Sequence, residues 1–197
     1  MPLNRILFSA FFIISIFSYS QSTQKRKVYE TQRVETAPKI DGIPNEEVWQ
    51  KVAKAENFVM VDPGDGDTIP ASHQTYARIL YDDDAIYVAA TLIEEHPENV
   101  MRQFTQRDNI DQSEFFLIDI NTYDDGENQT RFIVTSAGAQ ADARMTGDSE
   151  DYGYNVVWES EVSQDENGWY VEMKIPYSAL RFPEKPAQLW GIQLRGK

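Results

Sequence analysis

Apolar and polar residues alternate along much of this chain, which places every second side chain on one face of a β-strand. The alternation predicts strands over residues 75–81, 85–93, 114–121, 130–136, 155–163, 169–175 and 188–195. Turn-forming residues join the first six into three hairpins, with turns at residues 82–84, 122–129 and 164–168. Short strands joined by hairpins predict an all-β protein, an antiparallel β-sandwich of the immunoglobulin-like or jelly-roll-like kind.

One short helix is predicted near the start of the sandwich, over residues 45–52. Asn45 can cap the free amides of its first turn, and the acidic Glu46 and Glu47 suit the positive end of a helix. Trp49 lies in this helix, and we expect it to close one end of the sandwich. Trp169 and Trp190 each begin an apolar strand face, which predicts that both belong to the core.

The first twenty residues have the pattern of a secretory signal peptide. A weakly basic start is followed by the apolar residues 6–17 and by the small Ser18 and Ser20, which suit cleavage. The apolar stretch is shorter than the roughly 20 residues of a membrane-spanning helix. We therefore expect a signal peptide over residues 1–20, a flexible lead-in over 21–33 and a folded domain over 34–197, exported to the periplasm, the outer membrane or the extracellular space.

Charge and composition exclude several classes of function. The chain has 32 acidic and 18 basic residues and a formal charge of -14, without the basic excess that nucleic acid binding requires. It contains no cysteine and two histidines, His73 and His96, which are far apart in sequence. Disulfides, thiolate metal sites and a histidine zinc cluster are therefore excluded. The sequence also lacks the Gly-x-Ser-x-Gly motif of serine hydrolases and a phosphate-binding loop.

Acidic residues suggest calcium, a cation that takes six to eight oxygen ligands. Asp124, Asp125 and Glu127 surround a glycine in one predicted turn, and the alternative is that they are solvated turn residues. Asp119 and Asp142 lie in apolar surroundings, where a carboxylate needs a metal or an ion-pair partner such as Arg107. The candidate metal ligands are Asp119, Asp124, Asp125, Glu127 and Asp142, with the buried ion pair as the alternative for the two isolated aspartates.

Trp158 differs from the other tryptophans because its strand face continues to the less apolar Ser160 and Val162. It follows a glycine-containing loop with Tyr152 and Tyr154. An aromatic ring in such a position can stack on a ligand. The alternative is that Trp158 is one more anchor of the core, as large aromatic residues are usually well buried.

The order of these motifs resembles family 9 carbohydrate-binding modules and their relatives in the DOMON-like group of sandwiches. The similar segments are Ile40-Asp41-Gly42 followed by Glu47 and Trp49, residues 85–88, Arg107-Asp108, the strand around Asp119, Phe132 with Gly138 and Asp142, Trp158, residues 168–172, and residues 175–182 with 190–192. Together they cover residues 34–195. The look-alikes include amino-terminal domains of exported bacterial proteins, several of which continue into an outer-membrane β-barrel.

The resemblance implies a module that binds a sugar without cleaving it, often with structural calcium. It implies that a sugar end lies between two aromatic rings with polar residues around it. Trp158 is the candidate for one ring and Tyr123, Tyr152 and Tyr154 for the other, with Arg107 and Asp108 as polar contacts. The implied partners are an oligo- or polysaccharide and, in a longer protein, a membrane β-barrel or an enzyme domain.

Two other functions remain open at the level of the sequence. A glycoside hydrolase acting on O-glycosyl bonds, or its accessory domain, would need two carboxylates about 5 to 9.5 Å apart across a cleft. A structural domain attached to an outer-membrane β-barrel would instead present an exposed apolar patch without an open pair of aromatic rings.

Overall fold

The structure is a computed structural model that describes residues 26–62, 64, 66–110 and 112–196. Its strands are β1 (Gln32–Arg33), β2 (Thr75–Tyr81), β3 (Ala85–Ile93), β4 (Phe115–Asn121), β5 (Asn128–Thr135), β6 (Gln140–Thr146), β7 (Ser149–Asp151), β8 (Glu159–Asp165), β9 (Gly168–Pro176) and β10 (Gly191–Gly196). A four-residue helix, α1 (Glu47–Gln50), and short 3-10 turns at Ala71–His73, Pro97–Asn99 and Tyr177–Ala179 complete the elements. The predicted signal peptide lies outside the described residues.

The strands form two five-stranded sheets that pack face to face. The first sheet has the order β1-β2-β3-β9-β8 and the second the order β10-β4-β5-β6-β7. All neighbouring strands are antiparallel except the two-residue β1, which runs parallel to β2. The inner faces meet in one large apolar core that includes Val88, Phe116, Phe132 and Trp169. The predicted all-β sandwich is confirmed.

The alternation locates most strands to within a few residues. Strands β2 and β3 have the predicted bounds, whereas β8 begins four residues later than predicted, at Glu159. Residues 155–158 belong to the segment that carries the chain from β7 to β8, and they form no strand in either sheet. The alternation did not indicate β6 and β7, because the face of β6 that carries Asp142 and Arg144 is charged and the opposite face is built from small alanines.

The outer face of the first sheet is covered by the segment that contains α1. Trp49 is fully buried there and packs in a second apolar cluster with Leu80 and Tyr87. The sequence predicted that Trp49 closes one end of the sandwich. In the structure it lies against the outer face of the first sheet instead. The helix is also shorter than predicted, and its N-cap is Glu46, which makes no side-chain capping bond. No helix in the described part of the chain is long and apolar enough to cross a membrane.

Glu172 of β9 fixes this covering segment to the sheet. Its fully buried carboxylate accepts hydrogen bonds from Trp49 Nε1 (3.0 Å), Asp41 N (3.0 Å) and Gly42 N (2.9 Å). Burial raises the pKa of Glu172 above its usual value, although the three N–H donors oppose that rise. Gly42 has a φ of 77°, and a Cβ there would lie 2.7 Å from the Val162 carbonyl carbon, so only glycine fits this contact.

The outer face of the second sheet carries a buried ion pair. Arg131 Nε and Nη2 donate to the two oxygens of Asp119 at 2.7 and 2.9 Å, and Arg131 Nη1 donates to Glu150 at 2.6 Å. The bond to Asp119 raises the pKa of Arg131. Asp119 therefore has the buried ion-pair partner that the sequence offered as the alternative to a metal, and this partner is Arg131 rather than Arg107.

Candidate functional site

Between β7 and β8 the chain crosses from the second sheet to the first, along one edge of the sandwich. Along residues 152–158 partly buried side chains alternate with exposed ones until Trp158, which is only 5% exposed. The Trp158 ring meets the Phe132 ring edge-on, with centroids 5.3 Å apart. Trp158 is therefore an anchor of the core, the role that the sequence analysis gave as the alternative to stacking on a ligand. At 5% exposure, the ring is largely closed to a stacking sugar.

Asp142 of β6 holds this edge together from inside. Its carboxylate is fully buried and accepts hydrogen bonds from Val156 N at 2.9 Å, from Trp158 Nε1 at 3.2 Å and from Arg107 Nη2. One buried carboxylate thus fixes a core ring, the crossing segment and an arginine at the surface. These donors occupy the oxygens that the sequence analysis assigned to a metal, so Asp142 acts as an ion-pair partner.

Arg107 lies on the outside of this network and is about one-third exposed. Its Nη1 donates to Gln140 Oε1 at 2.6 Å, and its Nη2 donates to the Val156 carbonyl at 3.0 Å. Asp108 follows with a φ of 66°, and its Oδ1 accepts from Asp142 N at 3.3 Å. The predicted pair of Arg107 and Asp108 is therefore held rigidly at the edge, with one side of the guanidinium turned to solvent.

Two exposed apolar residues neighbour Arg107, Phe104 along the chain and Val157 beside the carbonyl that Arg107 binds. Phe104 is 87% exposed, and the backbone on either side of it is fixed. Gln103 exchanges hydrogen bonds with Ser113 Oγ, and Thr105 Oγ1 donates to the Asn109 carbonyl. Val157, equally exposed, follows the carbonyl that Arg107 binds. Phe104 is an aromatic ring that the sequence analysis did not single out, although its position three residues before Arg107 could have indicated it.

A cavity of about 280 Å³ opens beside the same network. Its lining residues come from the end of the crossing segment, from β8, from the start of β6 and from the covering segment: Ile40, Gln140, Trp158, Glu159, Ser160 and Glu161. Gln140 Nε2 donates to Ser160 Oγ at 2.8 Å across the cavity, while its Oε1 accepts from Arg107. The edge thus combines a small polar cavity with an anchored arginine, and the exposed Phe104 lies three residues before that arginine in the chain. Glu159 and Glu161 add carboxylates that accept hydrogen bonds.

The three candidate tyrosines do not gather around Trp158. Tyr152 packs on the outer face of the second sheet and its hydroxyl donates to Glu150 at 2.8 Å. The Tyr154 hydroxyl donates to the Ala179 carbonyl at 3.0 Å, with the Arg144 guanidinium 4.7 Å from the ring centroid. Tyr123 is half-exposed in the turn between β4 and β5. The structure therefore does not form the predicted pair of stacking rings from Trp158 and a tyrosine.

The five candidate metal ligands do not form one metal centre. The β5 register places Asp119 opposite Arg131 and Asp142 opposite Phe132, so the two aspartates lie on opposite faces of the second sheet.

The other three candidate ligands lie in the turn between β4 and β5. Asp124 pairs with Arg26 at 3.2 Å. The Asp125 carboxylate accepts hydrogen bonds from Asn121, Asn128 and nearby backbone amides, which lowers the pKa of Asp125. Glu127 is exposed beside them. No group of three or more acidic or histidine side chains suited to a metal occurs among the described residues. Calcium binding by this turn stays a prediction.

Replacement of Trp158 by phenylalanine (Trp158→Phe) tests its role at this edge. We expect the free energy of unfolding to fall by about 2 kcal/mol, because Asp142 loses one of its buried donors. Urea denaturation measures this change. A variant that keeps the wild-type stability but loses binding to a sugar would instead indicate that the Trp158 ring stacks on the ligand.

Solved structures with the same fold include carbohydrate binding modules. A carbohydrate binding module family 9 (CBM9) from Caldicellulosiruptor kristjanssonii in complex with glucose aligns with a TM-score of 0.57 and 15% sequence identity, over 84% of this chain and 76% of that one. The module from the same organism in complex with cellotriose aligns with a TM-score of 0.57 and 14% identity, over 84% and 74% of the two chains. A search of the curated proteins finds no match to this sequence.

The two-sheet fold of this chain is thus shared with carbohydrate binding modules. The sequence itself decides the family. Residues 40–195 match the family described as Carbohydrate family 9 binding domain-like, and the chain belongs to that family.

Proposed function

We propose that this protein binds a saccharide without cleaving it, at the sandwich edge formed by Phe104, Arg107 and Asp108. The observation that carries the proposal is an exposed aromatic residue, Phe104, on a hydrogen-bonded loop, three residues before an arginine that a buried carboxylate holds in place. The Phe104 ring stacks on the apolar face of a pyranose. Arg107 donates hydrogen bonds to sugar hydroxyls, and Asp108 accepts them.

The proposed ligand is a chain or end of β-linked glucose. The support comes from family membership and from the glucose and cellotriose complexes of the modules that share the fold. So few contacts give an affinity between millimolar and micromolar, about -4 to -8 kcal/mol. The Asp142 carboxylate is fully buried and bonded to three donors, so it does not serve as an acid or base in hydrolysis.

Replacing Phe104 with alanine (Phe104→Ala) is expected to weaken cellotriose binding about tenfold, because one stacking contact is lost. The melting temperature is expected to stay unchanged, since the side chain is 87% exposed. Isothermal titration calorimetry measures the affinity. Leu189→Ala is the matched control, because Leu189 is also exposed and apolar but lies beside β10. Equal affinities for the wild type and Phe104→Ala would contradict the placement of the site.

Export of the mature chain from near residue 21 is part of the proposal and rests on the pattern of residues 1–20. The support for a role in a larger polysaccharide-related or outer-membrane protein is the resemblance alone. Amino-terminal sequencing of the protein from the exported fraction tests the first point. A protein that keeps Met1 and remains in the cytoplasm would contradict it.

A second candidate function, contact with another protein domain, is favoured by the surface beside β10. Phe182, Leu189 and Ile192 are exposed there, and the rings of Phe182 and Trp190 lie 5.3 Å apart. Clustered exposed apolar side chains are typical of contact surfaces. Binding of a sugar at the Phe104 edge and contact through β10 involve different residues, so the two functions are separable by mutation.

A further inference from the structure

The open edge of the sandwich continues beyond the site proposed above. Ser160, Val162 and Gln164 of β8 share the inner face of their strand, because they pair with Met173, Val171 and Trp169 of the core. They lie at the border of the first sheet, since β8 is its last strand. Their side chains therefore form one continuous wall along the edge.

Two polar cross-links join this wall to the opposite side. Gln140 Nε2 donates to Ser160 Oγ at 2.8 Å, and Arg102 Nη1 donates to Gln164 Oε1 at 2.8 Å. Arg102 is itself fixed, because its Nε donates to the Ser136 carbonyl at 3.0 Å. Ser160 and Gln164 are four positions apart, which places the two cross-links about 13 Å apart along the strand.

A cavity lies beside each cross-link. The first is the cavity of about 280 Å³ next to Ser160, and the second, of about 580 Å³, is next to Gln164. The second cavity lies within the range of about 300–1,000 Å³ that small-molecule sites have. His96, Glu98, Arg102 and Glu166 are among its lining residues. They offer both donors and acceptors, which suits sugar hydroxyls.

The turn between β5 and β6 contacts the wall between the two cavities. A Cβ added at Gly138 would be 3.5 Å from Val162 Cγ2, an ordinary van der Waals distance. Gly138 has a φ of 87° and no side chain, so this contact adds no bulk to the edge. The two cavities therefore lie on either side of Val162 along β8.

We propose that the second cavity is a further saccharide subsite, and that the edge binds an oligosaccharide chain rather than a single sugar end. This inference rests on the proposed function, because the chain must first engage the Phe104 edge. Arg102 donates hydrogen bonds to hydroxyls of the distal sugar units, and Glu98 and Glu166 accept them. The surplus of carboxylates along the groove selects neutral chains over acidic ones.

Calorimetric titration with cellobiose and with cellohexaose tests the second subsite. We expect the wild type to bind cellohexaose at least about tenfold more tightly, because the longer chain gains charge-assisted hydrogen bonds. Arg102→Ala is expected to remove this difference while leaving the affinity for cellobiose unchanged. His96→Ala and Glu166→Ala are exposed variants that serve if Arg102→Ala alters the melting temperature. Lys185→Ala, in the exposed segment before β10, is the control.

The outcomes separate the two proposals. Equal affinities of the wild type for the two oligosaccharides overturn the second subsite and leave the Phe104 site standing. A length dependence that survives Arg102→Ala, His96→Ala and Glu166→Ala also overturns it. No binding of either oligosaccharide by the folded protein overturns the proposed function and, with it, the second subsite.

Discussion

Replacing Glu172 with alanine (Glu172→Ala) is expected to lower the free energy of unfolding by about 4 kcal/mol. The change leaves the N–H groups of Trp49, Asp41 and Gly42 buried without an acceptor, and each such loss is costly. The covering segment that contains α1 would lose its polar attachment to the first sheet. For a protein of this size, the loss corresponds to a fall in melting temperature of about 10 °C.

Urea denaturation measures this effect, and Glu161→Ala is the matched control. Glu161 lies directly opposite Glu172 in the β8–β9 register but is exposed, so its removal is expected to change stability by less than about 0.5 kcal/mol. A similar small change for both variants would contradict the anchoring role of Glu172.

The same carboxylate gives stability a defined pH dependence. Because burial raises the pKa of Glu172 in the folded state, the folded protein holds this proton at pH values where the unfolded chain has released it. The part of the stability that comes from this bound proton is thus complete below the unfolded pKa and is lost as the pH rises through the folded pKa. The stability difference between wild type and Glu172→Gln is expected to narrow as the pH rises above about 4.5.

Arg131→Ala is the second change with a large expected effect, a loss of about 3 to 5 kcal/mol. It leaves the Asp119 carboxylate, which is 1% exposed, without its bidentate partner inside the second sheet. The double change Asp119→Leu with Arg131→Met is expected to recover most of the loss, because it removes both buried charges together.

The pair of Lys174 and Glu159, which lies at the surface with Nζ and Oε1 2.9 Å apart, is the control for this cycle. Its removal is expected to change stability by less than about 1 kcal/mol. If Asp119 instead served as a metal ligand, Asp119→Leu would abolish a stabilisation by added calcium. Stability of the wild type that is independent of calcium supports the ion pair.

The sequence alone predicted the fold well because one face of most strands is buried. The period-two alternation gave β2 and β3 to the residue, and it placed Trp169 in the core. It could not give β6, whose charged side chains belong to the edge network and to solvent. The alternation of apolar and polar residues detects a strand only when its buried face is apolar. The inner face of β6 carries the charged Asp142, so this pattern does not indicate β6.

Only part of the candidate site could be predicted from the sequence. Arg107 and Asp108 were singled out, and the structure places both at the open edge. The partners of buried carboxylates depend on register, and the register that joins Asp119 to Arg131 and Asp142 to Arg107 requires the tertiary fold. The exposure of Phe104 likewise depends on how its loop is fixed, which no local pattern reveals.

A titration of the ¹⁵N-labelled protein with cellotriose, followed by NMR, tests the central claim most directly. Saccharide binding at the sandwich edge predicts saturable shifts of the backbone amides of residues 102–109 and 155–160, while the amides of β10 stay unmoved. Shifts confined to Tyr123, Phe182 and β10 would contradict the placement of the site. A folded protein whose amides do not move at millimolar cellotriose, or with other neutral oligosaccharides, would contradict the saccharide-binding function itself.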